Sequence, residues 1–215
     1  MTAAARVTEP DTGDPVDAST RTRVIEAAVA CILEEGFYRA SSNKIAKRAG
    51  VTWGVIQYHF GTREALMVAV HERGLAELDR ALADAVITGD SLEARLGCFV
   101  DALWAYYRRP EFLAYMQVVL NLSHDPTTAD STRLALKSSH DQVGERLPAM
   151  GRAVLGDGPS DAQVIETSRF LYNVVRGLAL DQELLDAMPV EHSGAAAFDA
   201  QRDELVRVLA ASLHH

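Results

Sequence analysis

From residue 20 onward the apolar positions recur with the spacing of helices. Asn43 to Ala49 places Ile45, Ala46 and Ala49 on one stripe, with Ser41 or Ser42 ahead of it to cap the helix start. Gly50 follows the basic pair Lys47-Arg48, where a helix C-terminus favours cations and a residue tolerant of positive φ. Val51 plugs the turn and Thr52 caps a second short helix, Trp53 to His59. Ile56 and Phe60, four apart, face inward, while Trp53, Val55, Gln57, Tyr58 and His59 face outward. Gly61-Thr62 ends that helix, and Thr62 caps the next. Two short helices across a three-residue turn, with a third beginning directly after, are the layout of a helix-turn-helix.

The remainder predicts longer helices. Ala65 to Val86 links forward and breaks at Thr88-Gly89-Asp90. Leu92 to Arg108 follows a capping Ser91 and carries the stripe Leu92, Leu96, Phe99, Leu103, Tyr107. Phe112 to Leu122 is apolar nearly all round, so it should be buried in a larger assembly, and His124-Asp125-Pro126 stops it. Thr128 to Leu155 turns Leu136, Val143, Leu147, Met150 and Val154 inward and ends at Gly156-Asp157-Gly158-Pro159. Ser160 to Met188 and Ala195 to Leu213 complete the chain, and no stretch alternates as a strand would. The expected fold is all-α: an N-terminal three-helix domain over 19–66, and a C-terminal helical domain over 67–215 for effector binding and dimerisation. Residues 1–18 hold three Pro or Gly and four acids among few apolar residues, which reads as a disordered tail. Its Arg6 could reach a minor groove, but the surrounding acids favour a solvated tail.

A net charge of −9 changes the picture only until it is divided. Residues 20–63 hold seven Lys or Arg (Arg21, Arg23, Arg39, Lys44, Lys47, Arg48, Arg63) and three Glu, a surplus of four. Residues 67–215 hold 13 basic and 22 acidic residues. The basic footprint is therefore local, and the acidic part would point away from DNA. Trp53 and Tyr58 beside Lys44, Lys47, Arg48 and Arg63 suit phosphates and base edges better than a plain solvated face. No apolar run approaches the roughly 20 residues that cross a bilayer, and no hydrophobic leader core is present, so a cytoplasmic protein with no membrane partner is expected. Cys31 and Cys98 sit singly on apolar helix faces, outside any metal-ligand spacing, and neither a metal nor a cofactor is expected.

The stretch resembles the N-terminal domain of the tetracycline-repressor (TetR) family of transcriptional regulators. The likeness lies in the helix Thr20 to Glu35 with its Gly36-Phe37 stop, then Ile45-Ala46, Ala49-Gly50-Val51-Thr52, Gly54-Val55-Ile56, His59-Phe60, Thr62-Arg63-Glu64 and Leu66. It covers about a fifth of the chain. One position departs: Gln57 stands where the family commonly has an aromatic residue on the DNA backbone, a role Tyr58 could share. The resemblance implies a palindromic double-stranded DNA operator, with contacts from Ser42, Asn43, Lys44, Thr52, Trp53, Gly54, Val55, Gln57, Tyr58, His59 and Arg63, the last on a phosphate.

It also implies a homodimer and a small-molecule effector among the middle helices, acting most simply by releasing a repressor from DNA. Candidate cavity walls are Phe99, Trp104, Tyr107, Tyr115, Met116, Val119 and Tyr172, whose alternative role is to fill the core. Asn173 and Arg176 lie between apolar neighbours, and a buried Arg needs a partner, either an acid such as Glu166 or Asp181 or an anionic group on the effector. Val164, Leu171, Val175, Leu178, Leu205, Val208 and Leu209 serve core and dimer interface together. A DNA-binding regulator or structural DNA-binding protein without an effector is the alternative. An enzyme is disfavoured: Ser139, His124 and His140 have no nucleophile elbow, metal spacing or phosphate loop beside them.

Overall fold

A computed structural model describes residues 15–187 and 194–213. Nine α-helices run through them: α1 (Pro15–Glu35), α2 (Ser42–Ala49), α3 (Trp53–Phe60), α4 (Arg63–Asp84), α5 (Leu92–Tyr107), α6 (Glu111–His124), α7 (Asp130–Leu155), α8 (Asp161–Asp186) and α9 (Gly194–Leu213). No strand occurs among the described residues. The all-α expectation holds, and the helix limits fall within a few residues of those read from periodicity.

The largest departure is at the start. Residues 1–14 of the expected tail lie outside the described residues, but 15–18 form the first turn of α1. Pro15 suits the first helical position, where a missing N–H costs nothing, and Asp17 sits at the positive end of the helix dipole. Two expected caps also differ. Ser41 and Thr52 occupy the cap positions of α2 and α3 in extended conformation, yet neither side chain closes a capping bond. Thr62 does accept from Ala65 N (3.0 Å) and Ser91 from Ala94 N (3.1 Å), and Ser160 forms a reciprocal capping box with Gln163. Gly50 makes the turn between α2 and α3 at φ 66°, where a side chain would be strained.

Two buried clusters organise the molecule. The first joins Val24, Ile32, Phe37, Ile45, Ile56 and Phe60 of the head to the first half of α4, and runs without a gap into Ala114, Tyr115, Val118 and Leu122 of α6. Residue 66 is thus no boundary in the packing. α6 lies along α1, and Gln117 Oε1 accepts from Phe37 N at 3.1 Å. The second cluster gathers the far half of α4 with α5, α7, α8 and α9 around Phe99, Leu103, Tyr107, Leu147, Leu171 and Val175. The nearly all-apolar α6 is buried on one face only: Phe112, Ala114, Tyr115, Val118 and Leu122 pack among α1, α4 and α7, while Leu120 stands 51% exposed, because no fourth helix covers that side among the described residues. On α8 and α9 the mixed core-and-interface set separates. Val164, Leu171 and Val175 are buried, Leu178, Leu205 and Leu209 half-buried, and Val208 exposed; Phe170 and Leu184 add exposed apolar surface.

Candidate nucleic-acid interface and effector cavity

α3 is held by its apolar side. Ile56 is fully buried and Phe60 nearly so. This leaves Thr52, Gly54, Gln57 and Tyr58 exposed, Tyr58 at 79%. Asn43, Lys44 and Lys47 of α2 are exposed beside them, Ser42 is half-buried, and Tyr38 stands out at the α1–α2 turn, where no periodic pattern marked it.

Three of the expected outward residues are not fully outward. Trp53 and Val55 are half-buried, and Trp53 packs against the head cluster. The His59 side chain is only 7% exposed, with Nε2 3.4 Å from Asp17 Oδ1 of α1. An eight-residue helix resting on α1 through Phe60 carries its neighbour His59 partly into the same contact.

The cations of the head are mostly committed. Arg21 donates to His59 O (3.3 Å) and lies 4.6 Å over the Phe60 ring, at the C-terminal end of α3. Arg23 donates to Ala49 O (3.0 Å) at the C-terminal end of α2. Both meet the negative ends of short helices, where a guanidinium satisfies orphan carbonyls. Arg63, read as a phosphate contact, is half-buried. It donates to Phe37 O (2.7 Å) and Ala40 O (3.4 Å) and stacks 4.7 Å over Phe37, and burial pulls its pKa down. Arg48 makes a two-pronged pair with Glu34, at 2.6 Å for Nη2, and Lys44 pairs with Glu35. That pair holds the Glu34 carboxyl below its ordinary range, chiefly by hydrogen bonding. Lys47 alone of the α2 cations has no partner among the described residues.

Behind the head lies a cavity with about 480 Å³ of empty space, part of it open to solvent. Six expected residues line it: Tyr107, Tyr115, Met116, Val119, Tyr172 and Arg176. Three do not. Phe99 is fully buried in the second cluster, eight residues and roughly 12 Å along α5 from Tyr107. Trp104 packs against that cluster from outside the lining, and Asn173 is exposed, touching the site only through its Oδ1, which accepts from Arg176 Nη2 at 3.0 Å.

The wall that periodicity missed belongs mostly to α4: His71, Gly74, Leu75 and Leu78. Gly74 is the telling member. A Cβ there would stand 2.5 Å from Tyr115 Cδ2, so only glycine lets the Tyr115 ring lie against the α4 backbone. Tyr106 O–H donates to Gly74 O (2.8 Å), and Tyr115 O–H donates to Glu77 (3.1 Å), which also pairs with Arg73 (2.9 Å) and Arg109 (3.1 Å). Two side chains of the cavity region are therefore bonded to the helix that begins at the DNA head. Burial pushes the phenols of Tyr106, Tyr107 and Tyr115 well above their ordinary range, so they are neutral donors near pH 7. Among the described residues no three His, Cys, Asp or Glu side chains cluster as a metal site, and no helix is long and apolar enough to cross a membrane.

Residues 24–70, the head and the first turns of α4, match the family model of bacterial regulatory proteins, tetR family. The head therefore carries the N-terminal domain of the tetR family of bacterial regulatory proteins. Two curated relatives resemble it in part. The transcriptional regulator BetI 2 of Chromohalobacter salexigens is 32% identical over 83 residues, 38% of this chain and 40% of its own length. The transcriptional repressor NicS of Pseudomonas putida is 32% identical over 98 residues, 45% of this chain and 46% of its own. The chain thus spans under half the length of these relatives. Among solved structures, the FadR regulator of Bacillus subtilis in complex with stearoyl-CoA superposes with a TM-score of 0.64 at 16% identity, covering 86% of this chain and 96% of that one. That likeness shows a shared fold that runs through the head and the cavity-bearing helices alike.

Proposed function

We propose that this protein is a homodimeric repressor of the TetR family that binds a palindromic operator in the cytoplasm and leaves it when a small molecule fills the cavity. DNA is met by the exposed face of α3 and α2: Asn43, Lys44, Lys47, Thr52, Gln57 and Tyr58, with Ser42, Trp53, Gly54, Val55 and His59 shaping its floor. The observation that carries the reading is that α4 serves both ends. It starts immediately after α3, and its middle turns are a cavity wall bonded to Tyr106 and Tyr115. A ligand that prefers one setting of α4 shifts the heads by no more than that preference, and DNA opposes the ligand to the same extent.

The sense of regulation follows NicS, named a repressor, and the small-molecule input follows the stearoyl-CoA complex of FadR. The dimer would form through α8 and α9, where Phe170, Leu184 and Val208 expose apolar surface.

The test selects DNA from a random pool with the full chain, sizes the complex by light scattering, and titrates cell metabolite fractions. A dimer on a two-fold site, released by at least one fraction, is expected. A monomer on an asymmetric site overturns the dimeric reading. An affinity that no fraction moves leaves a DNA-binding regulator without an effector.

A further inference from the structure

The cavity has more donors than its walls can use. Arg176 is half-buried in its lining, 5.1 Å from the Tyr172 ring centroid, and of its five N–H groups one is accounted for by Asn173. No carboxylate pairs with it among the described residues, so neither Glu166 nor Asp181 plays that part. Tyr107 is 2% exposed; its hydroxyl interacts with Tyr172, whose ring lies 6.1 Å away, without closing a hydrogen bond of full geometry. The Arg176 charge reaches Tyr107 strongly enough to oppose the rise that burial gives its phenol.

Buried polar groups are nearly always satisfied, and an orphan hydroxyl beside an unpaired guanidinium marks something missing. The guanidinium can only donate and the Tyr107 O–H is free to donate, so one acceptor would serve both, and beside a cation it carries negative charge. One guanidinium matches one carboxylate in a two-pronged fork. Leu75, Leu78, Phe112, Met116 and Val119 give the wall apolar surface, and His71, Tyr106 and Tyr115 complete it, the two phenols already bonded to Gly74 O and Glu77. Glu77, which accepts from the lining Tyr115, is also paired with Arg73 and Arg109.

We infer that the cavity binds a compact organic carboxylate with an aromatic or branched apolar body, its carboxylate held by Arg176 and the Tyr107 hydroxyl. This rests on the cavity being the effector site.

Calorimetry on the full chain with benzoate, phenylacetate and 3-phenylpropionate, each against its carboxamide, tests it. At least one acid should bind, and its amide should bind about tenfold more weakly or worse, the loss of a charge-assisted pair. Arg176→Gln and Tyr107→Phe should each weaken the acid about tenfold and leave the amide unchanged. Tyr107→Phe removes an unsatisfied hydroxyl, so its melting temperature should equal or exceed the parent's, which excludes misfolding as the cause. Binding of an amide as tightly as its acid, survival of acid binding in Arg176→Gln, or binding by none of the three acids overturns the inference. Operator release is read separately. An acid that binds through Arg176 without moving operator affinity defeats the effector reading and leaves the carboxylate site. Release by a neutral compound does the reverse.

Discussion

Arg21, Arg23 and Arg63 end on main-chain carbonyls of the head, 23 to 38 residues away in sequence. Their charge was legible in the sequence, but their partners were not, because a carbonyl has no side-chain signature and its position is set by tertiary packing. Arg63→Ala should therefore cost folding stability of about 1–3 kcal/mol in chemical denaturation, since it strips the Phe37 and Ala40 carbonyls of a half-buried donor. A loss of DNA affinity with no loss of stability would instead restore Arg63 to a pure phosphate contact. Gln57 and Tyr58 make the opposite case. Both are exposed, Tyr58 at 79%. Their alanine variants should melt with the parent, yet lose operator affinity, by roughly 1–3 kcal/mol for a good base contact. Parental affinity in both would move the reading face elsewhere on the head.

Among the elements, periodicity reads α4 only as a linker, and a third of the cavity lining, His71, Gly74, Leu75 and Leu78, is missed for that reason. Periodicity assigns Leu75 and Leu78 an inward face but does not say whether that face meets side chains or empty space. Gly74 carries a cleaner signal, a glycine inside a long helical pattern. Gly74→Ala sets two effects against each other. Helix propensity favours Ala by about 1 kcal/mol, while overpacking against the Tyr115 ring costs about 1–3 kcal/mol. The clash should win, lowering the melting temperature and forcing Tyr115 into the cavity. A variant more stable than the parent would mean that α4 and α6 have room to part. The α1 start shows the converse misreading. Pro15 and Asp17 have the composition of a disordered tail, and the same two residues open a helix well.

At the scale of the molecule, Phe170 and Leu184 leave apolar surface on one side of α8. Phe170→Glu should yield a folded monomer by light scattering, with little change in melting at low concentration; an intact dimer would place the interface elsewhere. Alkali offers a test of the buried phenols. Tyr106, Tyr107 and Tyr115 hold their protons in the folded chain beyond the ordinary value of 10.0. The unfolded chain releases them near that value, so their contribution to stability is complete below pH 10 and declines as pH rises above it. Phenolate absorbance and helix content should then change together above that pH, and phenolate appearing ahead of unfolding would show these rings to be open to water.

The Arg48–Glu34 and Lys44–Glu35 pairs make the basic face its own salt. A cation that arrives already neutralised brings no net charge to a phosphate, so docking it expels few mobile ions from DNA. The protein should accordingly hold its operator with a flatter dependence on ionic strength than its seven basic residues imply. Glu34→Gln and Glu35→Gln, each freeing one cation per protomer, should steepen the log–log slope by about one unit apiece for every head on the DNA. What α1 contributes to recognition is restraint: a built-in competitor that DNA must displace, and that weak, indiscriminate sites displace least well.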